Sequence, residues 1–481
     1  MSSIIHIGAK TVVQSFAWKL LERLFTQGLS LVIQIILARI LLPSDFGTIA
    51  IILAIINYAG LFVQSGLSAA VIQKKDLDNS DAGTLLTASL LVATILYFFL
   101  FFFAPFIARC YENDSIIWPL RVISLSLFLY GYNSVQTALY YRNMRFRSLF
   151  YRSSLAIPLS GAIAIGMAYF GMGIWALVAY TLVNIVTIVL FMAFDSKVKV
   201  HLSFSLTKAK QLYSFSSKIL MANLISGAGD TIRTMLIGKK YNTINLAYYD
   251  KAYTYSSYIT QSITVSLSSV LLPTFSREQE DIDHLKSMAR RSVRMTCFLV
   301  LPVLASVMVM AKPLVILLLT EKWAPSIPYL IIFCLLRIPG CIVSIDKQVF
   351  YAIGNSAINM YYEFFLLIAN LISLIITIPM GIMAIAVGAT IVEFLGCFVL
   401  FCIGKRLYHY GIKSRIEDIF PPLLYTLLMV GAMIPISFLG FSPFLSIVIQ
   451  MAIGLIVYIG ISLIVKDKSL QYIFKIFRNN K

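Results

Sequence analysis

Long apolar runs alternate with short polar connections along almost the whole chain. A membrane-spanning helix needs about 20 mostly apolar residues, and fourteen runs of that kind occur. We therefore predict an all-α polytopic membrane protein with about fourteen transmembrane helices. The predicted segments are 18–42, 46–72, 83–108, 116–141, 150–170, 173–194, 212–238, 246–275, 293–319, 326–352, 357–380, 382–404, 420–439 and 443–465.

The composition agrees with a membrane location. The 481 residues are 59% hydrophobic and 12% charged, whereas soluble domains contain about 25% charged residues. So small a charged fraction cannot cover a soluble particle, which excludes a cytosolic enzyme, a secreted disulfide scaffold and a disordered regulator. The formal charge of +18 would suggest a nucleic-acid partner for a soluble protein. In a membrane protein this excess belongs to cytoplasmic loops, so no nucleic-acid partner is expected.

The distribution of the cations predicts the orientation of the chain. If the N-terminus is cytoplasmic, the cytoplasmic segments hold 26 Lys and Arg residues and the external loops hold 4. Because cytoplasmic loops are rich in Lys and Arg, both termini are predicted to be cytoplasmic. In the C-terminal tail, Leu470, Ile473, Phe474 and Phe477 share one helical face among cations. This pattern is typical of a basic amphipathic helix that lies on the inner membrane surface.

The sequence lacks the residues that several kinds of functional site require. All four histidines fall in predicted cytoplasmic segments, which excludes a transmembrane haem or zinc site held by histidines. The six cysteines show no C-x-x-C spacing, and no G-x-x-x-x-G-K-[ST] phosphate-binding loop is present. The predicted external loops are too short to hold the active site of a membrane polymerase. The sequence therefore predicts no enzyme activity, no metal and no cofactor. Transport must be driven by an ion or voltage gradient, or by the substrate's own gradient.

Two weak internal matches agree on a repeat of six helices. Arg39 and Lys239 end the first and seventh predicted helices in similar sequence contexts, and a Gln-x6-Asn pattern ends both the fourth and the tenth. An even number of helices per repeat makes the repeats parallel, and transporters are often built from such repeats. The predicted organisation is an N-terminal lobe at 1–211 (helices 1–6), a C-terminal lobe at 212–411 (helices 7–12), and helices 13–14 with the tail at 412–481.

Five blocks of sequence carry a family resemblance: LARILLPSDFGTIAIILAI (37–55), FVQSGLSAAVIQKKD (62–76), SFSSKILMANLISGAGDTIRTMLIGKKYNTINLAYYDKAY (214–253), VLLPTFSR (270–277) and LLTEKWAPSIPYL (318–330). They resemble the polysaccharide transporter family, the Wzx-type lipid-linked oligosaccharide flippases of the multidrug/oligosaccharidyl-lipid/polysaccharide flippase superfamily. The resemblance implies that an undecaprenyl-pyrophosphate-linked oligosaccharide is flipped across the bacterial inner membrane by alternating access. The product would be O-antigen, capsule or exopolysaccharide. The implied partners are this substrate, the phospholipid bilayer, a polysaccharide polymerase and a chain-length regulator.

Ionisable residues inside the predicted helices are the strongest signal of a functional site. Each costs about 2.5–3.5 kcal/mol at a helix centre unless it is paired or hydrated. Asp230 and Arg233 share a helix face, and the sequence leaves open whether they form a static pair or line an aqueous cavity. The GAGD motif (227–230) on the same helix favours close helix packing, with a bend as the alternative.

The ionisable residues form two candidate groups. One group consists of cations that could bind the anionic substrate, and the other consists of carboxylates that could bind a coupling ion. Guanidinium groups bind phosphate oxygens in bidentate fashion, and an ion-coupled transporter needs a carboxylate that loads and releases a cation. The candidate substrate-binding cations are Arg39, Arg121, Arg233, Lys251 and Arg337. The candidate ion-coupling carboxylates are Glu393, Asp230 and Glu363, of which Glu393 is preferred because no cation lies within a helical turn of it.

The sequence also admits two related functions. A multidrug or small-metabolite antiporter of the same fold would favour an apolar, acid-lined cavity, which the excess of intramembrane Arg and Lys argues against. The second is a peptidoglycan precursor flippase, and only the five sequence blocks favour a polysaccharide flippase over it.

Overall fold

The computed structural model describes residues 9–64, 79–143, 145–195, 202–467 and 469–471, and within these ranges every regular element is helical. The α-helices are α1 (Ala9–Ile40), α2 (Pro43–Gln64), α3 (Asn79–Cys110), α4 (Ile117–Ser124), α5 (Ser126–Arg142), α6 (Phe146–Tyr169), α7 (Ile174–Phe194), α8 (Leu206–Tyr241), α9 (Thr243–Arg277), α10 (Ile282–Val309), α11 (Ala311–Leu319), α12 (Ile327–Ala352), α13 (Ser356–Thr377), α14 (Ile382–Tyr408), α15 (Ile412–Met433) and α16 (Pro443–Ile464).

The predicted fold class is confirmed. Each of the fourteen predicted segments overlaps a helix or two consecutive helices, and residues 65–72 of the second segment lie outside the described residues. Among the described residues, twelve helical stretches are long and apolar enough to cross a membrane. The seventh and eighth predicted segments lie in α8 and α9, which are 36 and 35 residues long and are not among those twelve. The predicted amphipathic tail lies almost wholly outside the described residues.

Two predicted helices are interrupted. The fourth predicted segment is divided at Leu125 into α4 and α5, and the ninth is divided at Met310 into α10 and α11. Pro313 explains the second break, because it has no N–H to donate to the carbonyl of Val309 and its ring clashes with that carbonyl. The sequence pattern showed continuous apolar runs at both places and therefore predicted single helices.

The chain forms two compact units, Met1–Ala247 and Tyr248–Lys481. In the first unit, α8 packs beside α2 and α3. The second unit contains the helices from α10 onward and nearly all of α9. The predicted lobe boundary at 211/212 was derived from internal symmetry and stays a prediction.

The first unit is built around α2, which begins at Pro43, three residues before the predicted start at 46. Pro43 is the first residue of α2, and the Asp45 carboxylate accepts a hydrogen bond from the Leu42 N–H at 3.2 Å. A Cβ on Gly47 would lie 1.7 Å from the Thr243 carbonyl oxygen, so only glycine allows this backbone approach. A Cβ on Gly227 would lie 2.9 Å from the Leu61 side chain. Close packing of α8 on α2 is therefore the role of this part of the GAGD motif.

The second unit has its core among α10, α12 and α14. The buried cluster includes Phe275, Val293, Ile345, Phe350 and Leu400, each less than 1% exposed. These side chains fix the relative positions of the helices that carry Arg337, Asp346 and Glu393, and so determine which charged groups can meet.

Candidate functional site

Arg121 lies half-buried at the C-terminal end of α4. Its Nε donates to the Phe101 carbonyl at 3.1 Å, and its guanidinium carbon stands 4.3 Å from the centre of the Phe101 ring. The Trp118 ring flanks it at 5.2 Å. No carboxylate pairs with Arg121 among the described residues. Its charge is instead stabilised by the Phe101 carbonyl and by two aromatic faces.

Asp230 and Arg233 form an ion pair, which is one of the two arrangements that their spacing left open. Arg233 Nη1 lies 3.1 Å from Asp230 Oδ1. The Asp230 side chain is 60% exposed, whereas that of Arg233 is 10% exposed. The pair therefore joins a buried cation to a carboxylate that remains open to its surroundings. The third candidate cation of the first unit, Arg39, is exposed in the last turn of α1.

Arg337 lies midway along α12 and is held against α9. Its Nη2 donates to the Tyr253 carbonyl at 2.9 Å, and its Nε donates to Ser256 Oγ at 3.3 Å. The guanidinium carbon stands 4.3 Å above the Tyr253 ring. Within the described part of the chain, no carboxylate pairs with Arg337. One edge of the guanidinium is fixed by α9, which leaves the Nη1 edge for other acceptors.

Lys251 shares α9 with the residues that hold Arg337 but makes different contacts. It is 6% exposed, and its Nζ stands 5.8 Å from the centre of the Tyr255 ring. The structure thus places Lys251 on α9 and Arg337 on α12, which contacts α9. The contacts of the described residues do not link the two side chains directly.

Glu363 is engaged in an ion pair that the sequence did not indicate. Lys347 Nζ lies 2.5 Å from Glu363 Oε1, and the Lys347 ammonium also stands 5.0 Å from the Tyr362 ring centre. A lysine near the end of a spanning helix ordinarily extends to the membrane surface. Instead, the proximity of α13 gives Lys347 a carboxylate partner 16 residues away in sequence.

Glu393 lies half-buried on α14 and faces α12, since a Cβ on Gly340 would lie 3.5 Å from Glu393 Oε1. The Tyr362 side chain from α13 packs against α14 one turn from Glu393, since a Cβ on Gly396 would lie 2.9 Å from the Tyr362 hydroxyl oxygen, and Glu363 is its neighbour in the chain. The Tyr362 hydroxyl is buried against Gly396 and has no hydrogen-bond partner among the described residues. The structure therefore brings two of the three candidate carboxylates to one tyrosine.

A second polar atom near this tyrosine is also unsatisfied. Asn359 lies one turn before Tyr362 and Glu363 on α13, and its Nδ2 donates to the Lys347 carbonyl at 3.3 Å. Its Oδ1 is buried without a hydrogen-bond partner in the described ranges. Buried polar atoms are rarely left unpaired, so Asn359 and Tyr362 mark a place where an ion or water can bind.

The sequence analysis missed a fully buried ion pair in the second unit. Arg415 donates from Nη1 and Nη2 to the two oxygens of Asp346, at 2.9 and 2.8 Å. Both side chains are at most 1% exposed. Tyr408 donates its hydroxyl to Asp346. The Arg415 guanidinium carbon stands 4.2 Å from each of the Phe401 and Tyr410 ring centres. Arg415 had been counted as a cytoplasmic loop cation because it lies just before an apolar run.

The buried pair continues into a wider network. Tyr410 donates to Asp418 Oδ2 at 2.9 Å, and Arg290 from α10 binds both oxygens of Asp418 at 2.8 and 3.0 Å. Arg294 Nη2 from α10 lies 2.6 Å from Asp467, which follows the last spanning helix. Burial acts to raise the pKa of Asp467, but hydrogen bonds from Arg294 and the Ser469 backbone hold that pKa below its ordinary value. These contacts fasten α10, α12, α14 and α15 to one another and to the chain after α16.

A comparable buried cation occurs in the first unit. Arg152 is 9% exposed, and its Nη1 donates to Asn133 at 3.1 Å and to Thr137 at 3.0 Å. The neighbouring Ser153 donates to Glu22 at 3.1 Å. Arg152 was also counted as a loop cation, and its partners on other helices could not be identified from sequence spacing.

Comparison with known proteins agrees with the predicted family and fold. The model of the polysaccharide biosynthesis protein family matches residues 36–328. The chain therefore belongs to this family of membrane proteins, and its resemblance to Wzx-type flippases is confirmed. It is 26% identical to the succinoglycan biosynthesis transport protein ExoT of Rhizobium meliloti over 324 residues, which are 67% of this chain and 66% of that protein. It is 21% identical to the lipopolysaccharide biosynthesis protein WzxC of Escherichia coli over 381 residues, 78% and 76% of the two chains.

Solved structures show the same fold at lower sequence identity. The lipid II flippase MurJ in an inward closed conformation has a TM-score of 0.79 at 16% identity and covers 93% of this chain and 98% of its own. An inward-facing multidrug resistance transporter of the MATE family has a TM-score of 0.65 at 15% identity, with 84% and 99% covered. At these identities the likeness establishes the architecture alone.

Proposed function

We propose that this chain flips an undecaprenyl-pyrophosphate-linked oligosaccharide across the bacterial inner membrane by ion-coupled alternating access. The observation that carries the proposal is the family match over residues 36–328, together with relatives named as succinoglycan transport and lipopolysaccharide biosynthesis proteins. The flipped units would supply O-antigen, capsule or exopolysaccharide synthesis, with a polysaccharide polymerase and a chain-length regulator as partners. The ion gradient is the proposed energy source because the sequence holds no phosphate-binding loop.

The cations supply the chemistry for an anionic headgroup. Arg121 and Arg337 have no carboxylate partner among the described residues, and each keeps guanidinium donors beyond those bound to a carbonyl or hydroxyl. In a water-filled cavity these donors would bind pyrophosphate or uronate oxygens. Arg39, Arg233 and Lys251 are proposed as further contacts. For Arg233, the anion would compete with Asp230.

The cluster around Tyr362 is the proposed coupling site. Glu393 lies one turn before Gly396, against which the buried Tyr362 hydroxyl packs, and Asn359 Oδ1 offers a second unsatisfied polar atom. A carboxylate, a hydroxyl and an amide oxygen are ligands for a sodium ion, and the same carboxylate can instead carry a proton. Glu363 is held by Lys347, so it is a secondary candidate, as is the exposed Asp230.

Glu393→Gln is expected to uncouple transport from the ion gradient. The substitution keeps the size of the side chain and removes the charge that binds the ion. Proteoliposomes with the variant should bind lipid-linked oligosaccharide as the wild type does, but an imposed proton or sodium gradient should no longer stimulate flipping. Flipping is measured as protection of the oligosaccharide from an added glycosidase. Glu417→Gln, at an exposed carboxylate of α15, is the matched control and should keep gradient dependence. If Glu393→Gln keeps it too, the coupling role passes to Asp230 or Glu363.

Cysteine labelling is expected to verify the proposed topology. With both termini cytoplasmic, Asn242→Cys between α8 and α9 should react with an impermeant maleimide from outside intact cells. His284→Cys near the start of α10 should react only after permeabilisation. The background is a variant in which the six natural cysteines are replaced. Labelling of both positions from the same side would contradict the fourteen-helix topology.

A further inference from the structure

The chain that leads into α8 has an alternating pattern of apolar and polar residues. We call residues 202–206 the connecting segment, which ends at the first residue of α8. The chain is not helical before Leu206, and Ser205 has extended dihedral angles (φ −131°, ψ 116°). Successive side chains of an extended chain point to opposite sides. The sequence LSFSL therefore places two serines on one side and three apolar residues on the other.

The serine side of the connecting segment is fastened to the start of α3. Ser203 Oγ donates to the Ser80 carbonyl at 3.2 Å, and Thr87 Oγ1 donates to the Ser203 carbonyl at 3.1 Å. Lys208 Nζ, in the first turn of α8, lies 3.6 Å from Asp81 Oδ1. All these residues belong to the first unit. The contacts hold the connecting segment against the first turns of α3.

The apolar side of the connecting segment is open. Leu202 is 67% exposed, Phe204 is 52% exposed and Leu206 is 75% exposed. The three side chains form one apolar edge, which the described part of the chain leaves uncovered. A contiguous apolar surface of this kind marks contact with a membrane or with a partner, and the neighbouring surface of α3 decides between the two.

The face of α3 that carries the connecting segment continues as a lipid-facing stripe. Ser80 and Thr87 are seven residues apart and therefore share one helix face. Leu91, Ile95 and Phe102 extend this face at helical spacing and are 53%, 68% and 71% exposed. Because α3 belongs to a candidate membrane span, these three side chains contact lipid. The connecting segment thus covers the polar base of a lipid-facing stripe, and its apolar edge lies beside that stripe.

Depth and charge place this edge at the membrane surface. The candidate span of α3 is 31 residues long, whereas about 20 residues cross the hydrocarbon core, so the ends of α3 reach headgroup depth. The sequence from 196 to 210 holds four lysines and no aspartate or glutamate. A basic segment beside a bilayer is attracted to anionic headgroups. Apolar side chains together with lysines at this depth are typical of an interfacial anchor.

We propose that the connecting segment is a membrane anchor that inserts Leu202, Phe204 and Leu206 into the surface of an anionic bilayer beside α3. The three side chains would lie at the boundary between headgroups and acyl chains, and the flanking lysines would bind lipid phosphates. The connection between α7 and α8 is thereby held at the membrane surface. The proposal rests on the membrane location of the chain and does not depend on transport activity.

Fluorescence quenching in lipid nanodiscs tests the proposal on the full chain with its six natural cysteines replaced. Phe204→Cys is labelled with the fluorophore NBD, in nanodiscs of phosphatidylcholine and phosphatidylglycerol. The matched control is Asp283→Cys, an exposed position in the first turn of α10. A phosphatidylcholine with a nitroxide near the top of its acyl chain should quench the label at 204 about threefold more than the label at 283. Aqueous iodide should quench the two labels in the reverse order.

The anionic lipid has its own readout. Omitting phosphatidylglycerol, or raising the salt concentration, should lower nitroxide quenching at 204 about twofold, because salt screens the attraction of the lysines. Leu202→Cys reports on the same edge if Phe204→Cys does not insert. Equal nitroxide quenching at 204 and 283, or shielding of 204 from both quenchers, would overturn the proposal in favour of a soluble partner or a protein cover. Quenching that is independent of phosphatidylglycerol and salt would overturn the role of anionic lipid.

Discussion

Export of surface polysaccharide is expected to fall to near background in cells that carry Arg337→Ala as their only copy. The side chain is proposed to present its Nη1 edge to the substrate, while α9 holds the opposite edge through Tyr253 and Ser256. A hydrogen bond between charged groups contributes about 1.5–3 kcal/mol, so its loss slows flipping about 10- to 100-fold. Arg337→Lys keeps the charge but loses the planar fork and should restore export only in part.

Two further variants distinguish binding from structural support at this position. Lys312→Ala removes a cation from an exposed position of α11 and should leave export intact. Ser256→Ala removes the acceptor of Arg337 Nε without changing the charge and should reduce export only slightly. The measurement is polymer yield at the cell surface, normalised to the amount of inserted protein. Normal export by Arg337→Ala would remove the main support for a cation-lined substrate cavity.

The largest loss of stability is expected for Arg415→Met. This substitution leaves the buried Asp346 side chain without its bidentate partner, and breaking a buried ion pair costs about 3–5 kcal/mol. The apparent melting temperature of the purified protein should fall clearly in a fluorescence-detected size-exclusion assay. Arg406→Met, the same substitution at an exposed position of α14, should change the free energy of unfolding by less than about 0.5 kcal/mol.

A double variant identifies the source of this loss. Asp346→Leu combined with Arg415→Met removes both charges, so no uncompensated charge stays buried. Replacing a buried pair by apolar residues is often close to neutral, and the double variant should therefore be more stable than Arg415→Met alone. If the single and double variants melt at the same temperature, the packing of Arg415 between Phe401 and Tyr410 outweighs its charge pairing.

The sequence determined the features that depend on local chemistry. Apolar runs of membrane-spanning length predicted helices at the observed places, because a chain in lipid must satisfy its backbone hydrogen bonds within each segment. The second predicted helix began at residue 46, within three residues of the observed start of α2 at Pro43. The Asp230–Arg233 pair was predictable because residues three apart meet on one helix face.

Only the tertiary structure decided which distant charges meet. Arg415 and Asp346 are 69 residues apart, and hydropathy assigned Arg415 to a loop because a cation beside an apolar run is ordinarily solvated. Packing of α12, α14 and α15 buries it instead. Packing of α13 against α12 and α14 gives Lys347 its partner Glu363 and places Tyr362 one turn from Glu393. A sequence reports the spacing of residues within one helix, whereas burial and ion pairing between helices depend on how their faces interlock.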